Sequence, residues 1–500
     1  MKKNFNLLII ALLLITSLNS CFQEYLDPLP ETALAEALAF DTRSRIIAQV
    51  NGLYIPVKSG QYLGGRYQIY NDIRADDFIN RRSNGVTGLA TWEHTVLAST
   101  NEVQNLWVQI YSAINRVNIF LEGMEANKSK IVPELLTQAE FDQFKGEALA
   151  IRGMAYFHLS QMYARPYNQA PGSPGLILRL TAMKDTTENG KARSTVAQTY
   201  AQILSDLNTA KSLLPTTAPA STVVRVTRLN RNSVIALLTK VHLHKNDWAA
   251  VKSEGDLLVL QTSRPFSGPW GVTLATAPTA LHTAFESVFR SPYTSAESMF
   301  SIPMTDTELP GTQNQLGHYF SGVTGVGNME YSININSPNW KNTEILADDA
   351  RRKLIVNRTA APAGLYVNKY TTFPHTDYAP VIRYAEVLLN LAEAEARLVW
   401  PNARAVELLN AVYLRSAPAG TAAYTTDNFS SANDFVARVI RERNMEFMGE
   451  GVRNMDIMRQ VIPIPKGGGG TVPVNIADYV WPIPVNELSS NKLVIQNGPL

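Results

Sequence analysis

Apolar residues recur along this chain with the period of a helix far more often than with that of a strand. Trp107, Ile110, Tyr111, Ile114 and Leu121 fall on one helical stripe. Asn118 lies on the same stripe, and a polar residue there is expected to be buried and hydrogen-bonded. Glu140 to Tyr163 repeats the pattern with Ala148, Ile151, Ala155, Leu159 and Met162 on one side. Thr199 to Leu214 is a third helix, stopped by Pro215. Asn230-Arg231-Asn232-Ser233 opens a helix over Val234 to Lys245. After a break at Asn246-Asp247, Trp248 to Leu260 forms its partner. A similar pair starts at Arg383-Tyr384-Ala385-Glu386, with Leu388, Leu389, Leu391, Ala392 and Val399 on its stripe. It breaks at Trp400-Pro401-Asn402 and resumes over Ala403 to Arg415. Both pairs look like tetratricopeptide-type units, which bury little alone and need stacked neighbours.

Residues 262–340 depart from this pattern. They are rich in Pro, Gly, Ser and Thr, as in Ser267-Gly268-Pro269-Trp270-Gly271 and Gly325-Val326-Gly327-Asn328. A loop region this long is usually functional or disordered. Trp270, Tyr293, Phe300, Tyr319, Phe320, Tyr331 and Trp340 argue against disorder. Pro463 to Gly470 reads as a flexible hairpin tip. The expected fold is mainly α, with tetratricopeptide-like pairs as scaffold, long irregular loops and little β. Its parts are a helical region at 41–261, a loop-rich ligand-side region at 262–380 and a C-terminal helical region at 381–500, forming one compact unit.

The first forty residues carry a different signal. Lys2 and Lys3 precede an apolar run from Leu7 to Ile15, the size of a signal-peptide core. That run is too short to span a bilayer as an anchor. Leu18-Asn19-Ser20-Cys21 resembles a bacterial lipobox, which implies cleavage before Cys21 and lipid on its sulfur. Residues 1–20 are then a lipoprotein signal peptide. Residues 21–40, with Pro28 and Pro30, are an extended tether.

Composition narrows the chemistry. The 500 residues include 45 Lys+Arg and 43 Asp+Glu. Removing residues 1–20 takes away two lysines and no acid, leaving a neutral chain. That argues against nucleic-acid binding, which needs a clustered basic excess. Cys21 is the single cysteine, so there is no intrachain disulfide and no cysteine zinc site. No His-Glu-x-x-His, Gly-x-Ser-x-Gly or Gly-x-x-x-x-Gly-Lys motif occurs. Two carboxylate groups stand out. Glu442, Glu446 and Glu450, spaced by four beside Arg441, Arg443 and Arg453, read as a helix ion-pair network. Asp72, Asp76 and Asp77 could cap helices or hold a cation. No cofactor is expected, and whether calcium is bound is left open.

Several blocks together resemble the SusD/RagB family of outer-membrane nutrient-binding lipoproteins. The lipobox is followed by Tyr25-Leu26-Asp27-Pro28. Trp107, Tyr111, Ile114 and Asn118 match the family's Trp-x-x-x-Tyr-x-x-Ile-x-x-x-Asn helix. Gly146-Glu147-Ala148 through Tyr156-Phe157, and Arg383-Tyr384-Ala385-Glu386 with Ala392-Glu393-Ala394, match two more blocks. Arg441-Glu442-Arg443 through Glu446, Gly451, Arg453 and Asp456 to Arg459 is the most specific. The ending, Pro482-Ile483-Pro484 to Gln496-Asn497, is also similar. Asn454 replaces the family's aromatic residue, and the chain ends in Gly498-Pro499-Leu500. The resemblance implies a non-enzymatic protein on the bacterial cell surface, lipid-anchored through Cys21. It also implies a partner, a SusC-like TonB-dependent outer-membrane barrel, to which the protein passes captured oligosaccharide or, in some members, peptide. A surface glycosidase would be a distant alternative.

In that family the ligand surface is built from loop aromatics. An exposed ring stacks on the C–H face of a sugar, contributing on the order of 1 kcal/mol per contact. Trp107, Trp248, Trp400 and Trp481 are read as core. Trp92, with Asn101 as a polar neighbour, Trp270, and Trp340 with Tyr319 and Tyr331 are the ligand-binding candidates.

Overall fold

A computed structural model describes residues 38–269, 279–341 and 348–500. Cys21 and Trp270 lie outside the described residues, as do the segments read as signal peptide and, up to residue 37, tether. The helices among the described residues include α1 (Asn101–Ala126), α2 (Gln138–Tyr163), α3 (Val196–Leu213), α4 (Arg231–His244), α5 (Trp248–Gly255), α6 (Tyr384–Leu398), α7 (Ala403–Ser416), α8 (Ala432–Glu446) and α9 (Arg453–Arg459). Three of them start at reciprocal side-chain caps. Thr137 and Glu140 form a reciprocal capping box at α2, Thr195 and Gln198 another at α3, and Asn230 and Ser233 a third at α4. The box at Thr195 moves the start of α3 upstream of the apolar stripe, to Val196. Helix α5 ends at Gly255, earlier than its apolar pattern suggests, and Leu257 and Leu260 are exposed beyond it.

The helices stack in series, α1 on α2, α2 on α3, α3 on α4, and α4 on α5. The chain then leaves the stack for the loop-rich region. It returns as α6, which packs directly on α4 and α5, and α7 and α8 follow against α6. The pair α4–α5 therefore finds its stacked neighbour in α6–α7, more than a hundred residues away. Ala394 lies in a small cluster with Leu243 and Val251, where α6 meets the α4–α5 pair. Asn118 is buried on α1, as its stripe predicts. Its amide donates to the carbonyls of Arg179 (2.9 Å) and Thr181 (3.0 Å) and accepts from Arg152, which also pairs with Asp206 at 2.7 Å.

Strands among the described residues form five antiparallel two-stranded ladders. Two of them tie the loop-rich region to the helical parts. Ser298–Ile302 pairs with Ala379–Arg383, and Phe78–Asn80 pairs with Tyr331–Ile333. The pairing of Ile464–Pro465 with Thr471–Val472 makes the expected hairpin around Gly467–Gly470.

The glutamate set of α8 differs from its sequence reading. The helix ends at Glu446, so Glu450 lies in the following turn. All three acids are buried, and most of their partners come from across the core. Arg351 (2.6 Å) and Arg438 (2.7 Å) bind Glu442, Arg383 (2.8 Å) and Arg415 (2.6 Å) bind Glu446, and Lys369 (2.6 Å) and Arg383 (2.8 Å) bind Glu450. Of the basic neighbours in sequence, Arg443 pairs with Asp456 and Glu386, and Arg453 with Asp76. A buried carboxylate out of reach of water needs a cation in contact, and the loop-rich region supplies Arg351 and Lys369. Burial pushes Glu446 upward, but the guanidiniums of Arg415, Arg383 and Arg351 outweigh it and hold the group well below the usual carboxylate range.

Candidate ligand face

The segment carrying Trp92 is built onto the loop-rich region. Phe78 pairs with Ile333 and Asn80 with Tyr331. Just beyond the strand, the Arg81 N–H donates to Glu330 O (2.8 Å) and the Arg81 side chain to Ser332 Oγ (2.6 Å). The Glu330 carboxylate is fully buried and accepts from Thr87 Oγ1 (2.9 Å), Asn328 and Asn84. His318 Nε2 stands 3.7 Å from it. These contacts bind the turn at 81–88 to residues some 240 positions later in the chain.

Trp92 sits in a single helical turn, Leu89–Glu93. Its indole N–H donates to Phe78 O at 2.9 Å, which orients the ring. The hairpin tip supplies a second restraint. A Cβ on Gly467 would lie 2.0 Å from Phe78 O and 2.6 Å from Trp92 Nε1, and one on Gly468 would lie 3.1 Å from Trp92 Cη2. Only glycines let the hairpin backbone lie against the indole. The sequence reading of this run as a flexible tip missed that role; a run of glycines in a hairpin is the one signal for it. Trp92 is left half-buried. Beneath it, the Thr91 N–H (3.2 Å) and hydroxyl both donate to the Glu102 carboxylate in the first turn of α1. Burial pushes Glu102 up, and the Thr91 hydroxyl opposes that.

The other candidates fall differently. Asn101 is exposed at the first position of α1. Trp340 is half-buried in the turn Pro338–Lys341, with the Arg352 guanidinium over its ring at 5.1 Å. Tyr319 and Tyr331 are in the core at 0% exposure, their rings parallel within 3° and 6.0 Å apart. Tyr331 donates its hydroxyl to Thr87 O (2.9 Å), and Arg66 lies 5.3 Å over Tyr319 while bonding Val86 O (2.9 Å). Neither ring has a face open to a ligand; the pair buttresses the turn before Trp92. Their segments look irregular in sequence, yet they form a strand and a short helix that pack inward. Of the tryptophans read as core, Trp107 and Trp481 are buried at 2% and 1%, while Trp248 and Trp400 are half-buried.

The Asp72 set is a clamp between distant segments. Asp72 accepts the Gly451 N–H (3.0 Å) and a backbone bond from Arg453, the first residue of α9, so it caps that helix from outside. Burial raises Asp72 to about 7, opposed chiefly by the Gly451 bond. Burial raises Asp77 to about 8, opposed by Arg453. Among the described residues, no group of three or more His, Cys, Asp or Glu is arranged to hold a metal ion, and no helix is long and apolar enough to cross a membrane. A cleft of about 370 Å³ lies on the helical side beside Trp248, where Arg397 covers the indole at 5.5 Å.

Two family models match the chain: one described as starch-binding and associating with the outer membrane over residues 24–243, and the SusD family over residues 335–499. A SusD superfamily protein from Bacteroides fragilis is 31% identical, with a TM-score of 0.79 over 91% of this chain and 99% of that one. The chain belongs to the SusD/RagB family. A putative sugar-binding protein from Bacteroides vulgatus shares the fold at 22% identity and a TM-score of 0.73, over 91% of this chain and 98% of its own. A laminarin-binding SusD-like protein does so at 20% and 0.69, over 92% of this chain and 99% of its own. A comparison with curated protein sequences finds no match. The fold of SusD/RagB proteins is thus the mainly helical, loop-decorated one expected from the sequence.

Proposed function

We propose that this protein is a cell-surface lipoprotein that captures oligosaccharide and delivers it to a SusC-like TonB-dependent outer-membrane transporter. The observation that carries the binding half is the geometry of Trp92. Its indole is pinned by Phe78 O and by the glycine backbone of the hairpin, yet remains half-exposed. An aromatic ring held rigid before the ligand arrives loses little freedom on binding. The family's description as starch-binding, and a relative named for laminarin, support a glycan over a peptide. Lipid attachment at Cys21 and the barrel partner follow from the lipobox and the family resemblance.

A glycosidase needs two carboxylates about 5–10 Å apart in an open cleft. The two carboxylate sets conspicuous in the sequence are instead buried against arginines, a lysine and backbone N–H groups, which favours capture over cleavage. The deciding experiment is a screen of the chain from residue 22 onward against an array carrying both glycans and peptides. Saturable hits within one glycan class are expected. Hits among peptides alone would overturn the ligand.

A further inference from the structure

We propose that the loop 371–378 and the facing Tyr293 form a second saccharide-contacting platform, separate from Trp92, built from Phe373, the stacked pair Tyr293–Tyr378 and the Asp377 carboxylate. The inference rests on the glycan-binding reading above and extends it to residues the sequence motifs do not mark. Phe373 is 72% exposed, more than any other large hydrophobic side chain among the described residues. A lone exposed apolar residue is ordinary, but this one belongs to a cluster. The His375 ring meets it edge-on at 5.9 Å. Tyr293 and Tyr378, both half-buried, stack at 4.7 Å with 18° between their planes.

The loop is knit to hold this arrangement. The Thr372 N–H donates to Asp377 Oδ2 at 2.8 Å, and the Thr376 N–H lies 2.7 Å from Pro374 O and 3.0 Å from Thr372 Oγ1. The Tyr293 hydroxyl donates to Asp377 Oδ1 at 2.9 Å. Tyr293 itself has a φ of 60°, in the left-handed region that side chains with a Cβ rarely adopt. The Thr372 N–H and the Tyr293 hydroxyl thus fix the Asp377 carboxylate from both sides of the loop.

The chemistry selects the ligand class. Asp377 is half-buried, and each carboxylate oxygen accepts one of these bonds while keeping capacity for another. A pair of sugar hydroxyls would use that capacity, while the C–H face of the ring stacks on Phe373. The loop carries one acid and neither lysine nor arginine, which disfavours an anion. The two tyrosines touch each other, so they leave no aromatic cage for a cation. The Thr372 and Thr376 N–H groups are already taken, which leaves a peptide few backbone partners.

The test uses the chain from residue 22 onward, labelled with 4-fluorophenylalanine, with the Phe373 resonance assigned by its loss in Phe373→Leu. Laminarihexaose, maltohexaose and xylohexaose are titrated, with pentaalanine beside them, into the native protein and into Trp92→Ala. At least one hexasaccharide is expected to move the Phe373 resonance saturably in both proteins. Read by calorimetry in the Trp92→Ala background, Phe373→Leu should weaken binding of that hexasaccharide about fivefold, the worth of one aromatic contact, with no change in melting temperature because the ring is in water. A Phe373 signal silent to every sugar overturns the second platform. If calorimetry still detects Trp92-dependent binding, the capture function stands; if it detects none, both fail. Movement that vanishes in Trp92→Ala reduces the two platforms to one site, and movement with the peptide alone overturns the ligand class.

Discussion

Trp92 shows how a single ring is prepared for use. Its position depends on a backbone carbonyl from the preceding strand and on two glycines nearly 400 residues away in the chain. Replacing Trp92 with Ala should lower oligosaccharide affinity about five- to tenfold. Its cost in stability should stay below the 3–5 kcal/mol typical of a fully buried tryptophan, because the ring is only half-buried; calorimetric titration and thermal melts read the two effects separately. Gly467→Ala is a sharper test of the restraint. The new Cβ would meet Phe78 O, so the hairpin must lift and free the indole. Near-ultraviolet circular dichroism should report the loosened tryptophan, and affinity should fall although no ligand-facing atom was removed. Unchanged spectra and affinity would show that the hairpin does not orient Trp92. Tyr319 and Tyr331 illustrate the opposite outcome, aromatics chosen from an irregular stretch that the structure buries.

At the scale of elements, α8 and the turn after it form a hub of buried charge. Arg383 alone contacts Glu297, Glu446 and Glu450, and so joins the strand end just before α6 to the loop-rich region, α8 and the turn after it. Arg383→Met would leave three acids without their shared cation, and a loss of about 3–5 kcal/mol is expected in urea unfolding. Two opposed sets of carboxylates contribute to the pH response. Glu442 and Glu446 sit below their ordinary values, so they stabilise the fold above about pH 4 and that stability is lost as pH falls. Asp72, at about 7, and Asp77, at about 8, sit above theirs. The native state keeps protons that the unfolded chain releases near pH 4, so their contribution declines as pH rises from about 4 to 8. Burial holds His158 and His244 well below the ordinary imidazole value, so they act in the opposite sense up to about pH 6.5, and the aspartate effect is read by comparison with a variant. Asp72→Asn should flatten the decline between pH 5 and 8, measured as unfolding free energy; an unchanged slope would show that Asp72 is ionised throughout.

At the scale of the whole molecule, the proposed tether and the capture face are separate claims. Cys21→Ala should release the protein from membranes and abolish labelling by a palmitate analogue, with glycan affinity in solution unaltered. Persistent labelling would refute the lipobox reading. The helical scaffold was legible in the sequence because helix periodicity is local: the stripes of α1 and α2 and the α4–α5 and α6–α7 pairs each lie within a few turns of chain. The ordered blocks from Trp107 to Arg459 likewise marked the family without any distant contact. Tertiary structure alone decided which charges meet and which aromatics face outward. Glu442, Glu446 and Glu450 found most of their partners on other segments, because buried carboxylates pair with whatever cation the fold brings near. Trp92 kept a free surface while Tyr331 lost its own, and Phe373, unmarked by any pattern, emerged into water. Exposure is a property of how remote segments pack, and no periodicity along a loop encodes it.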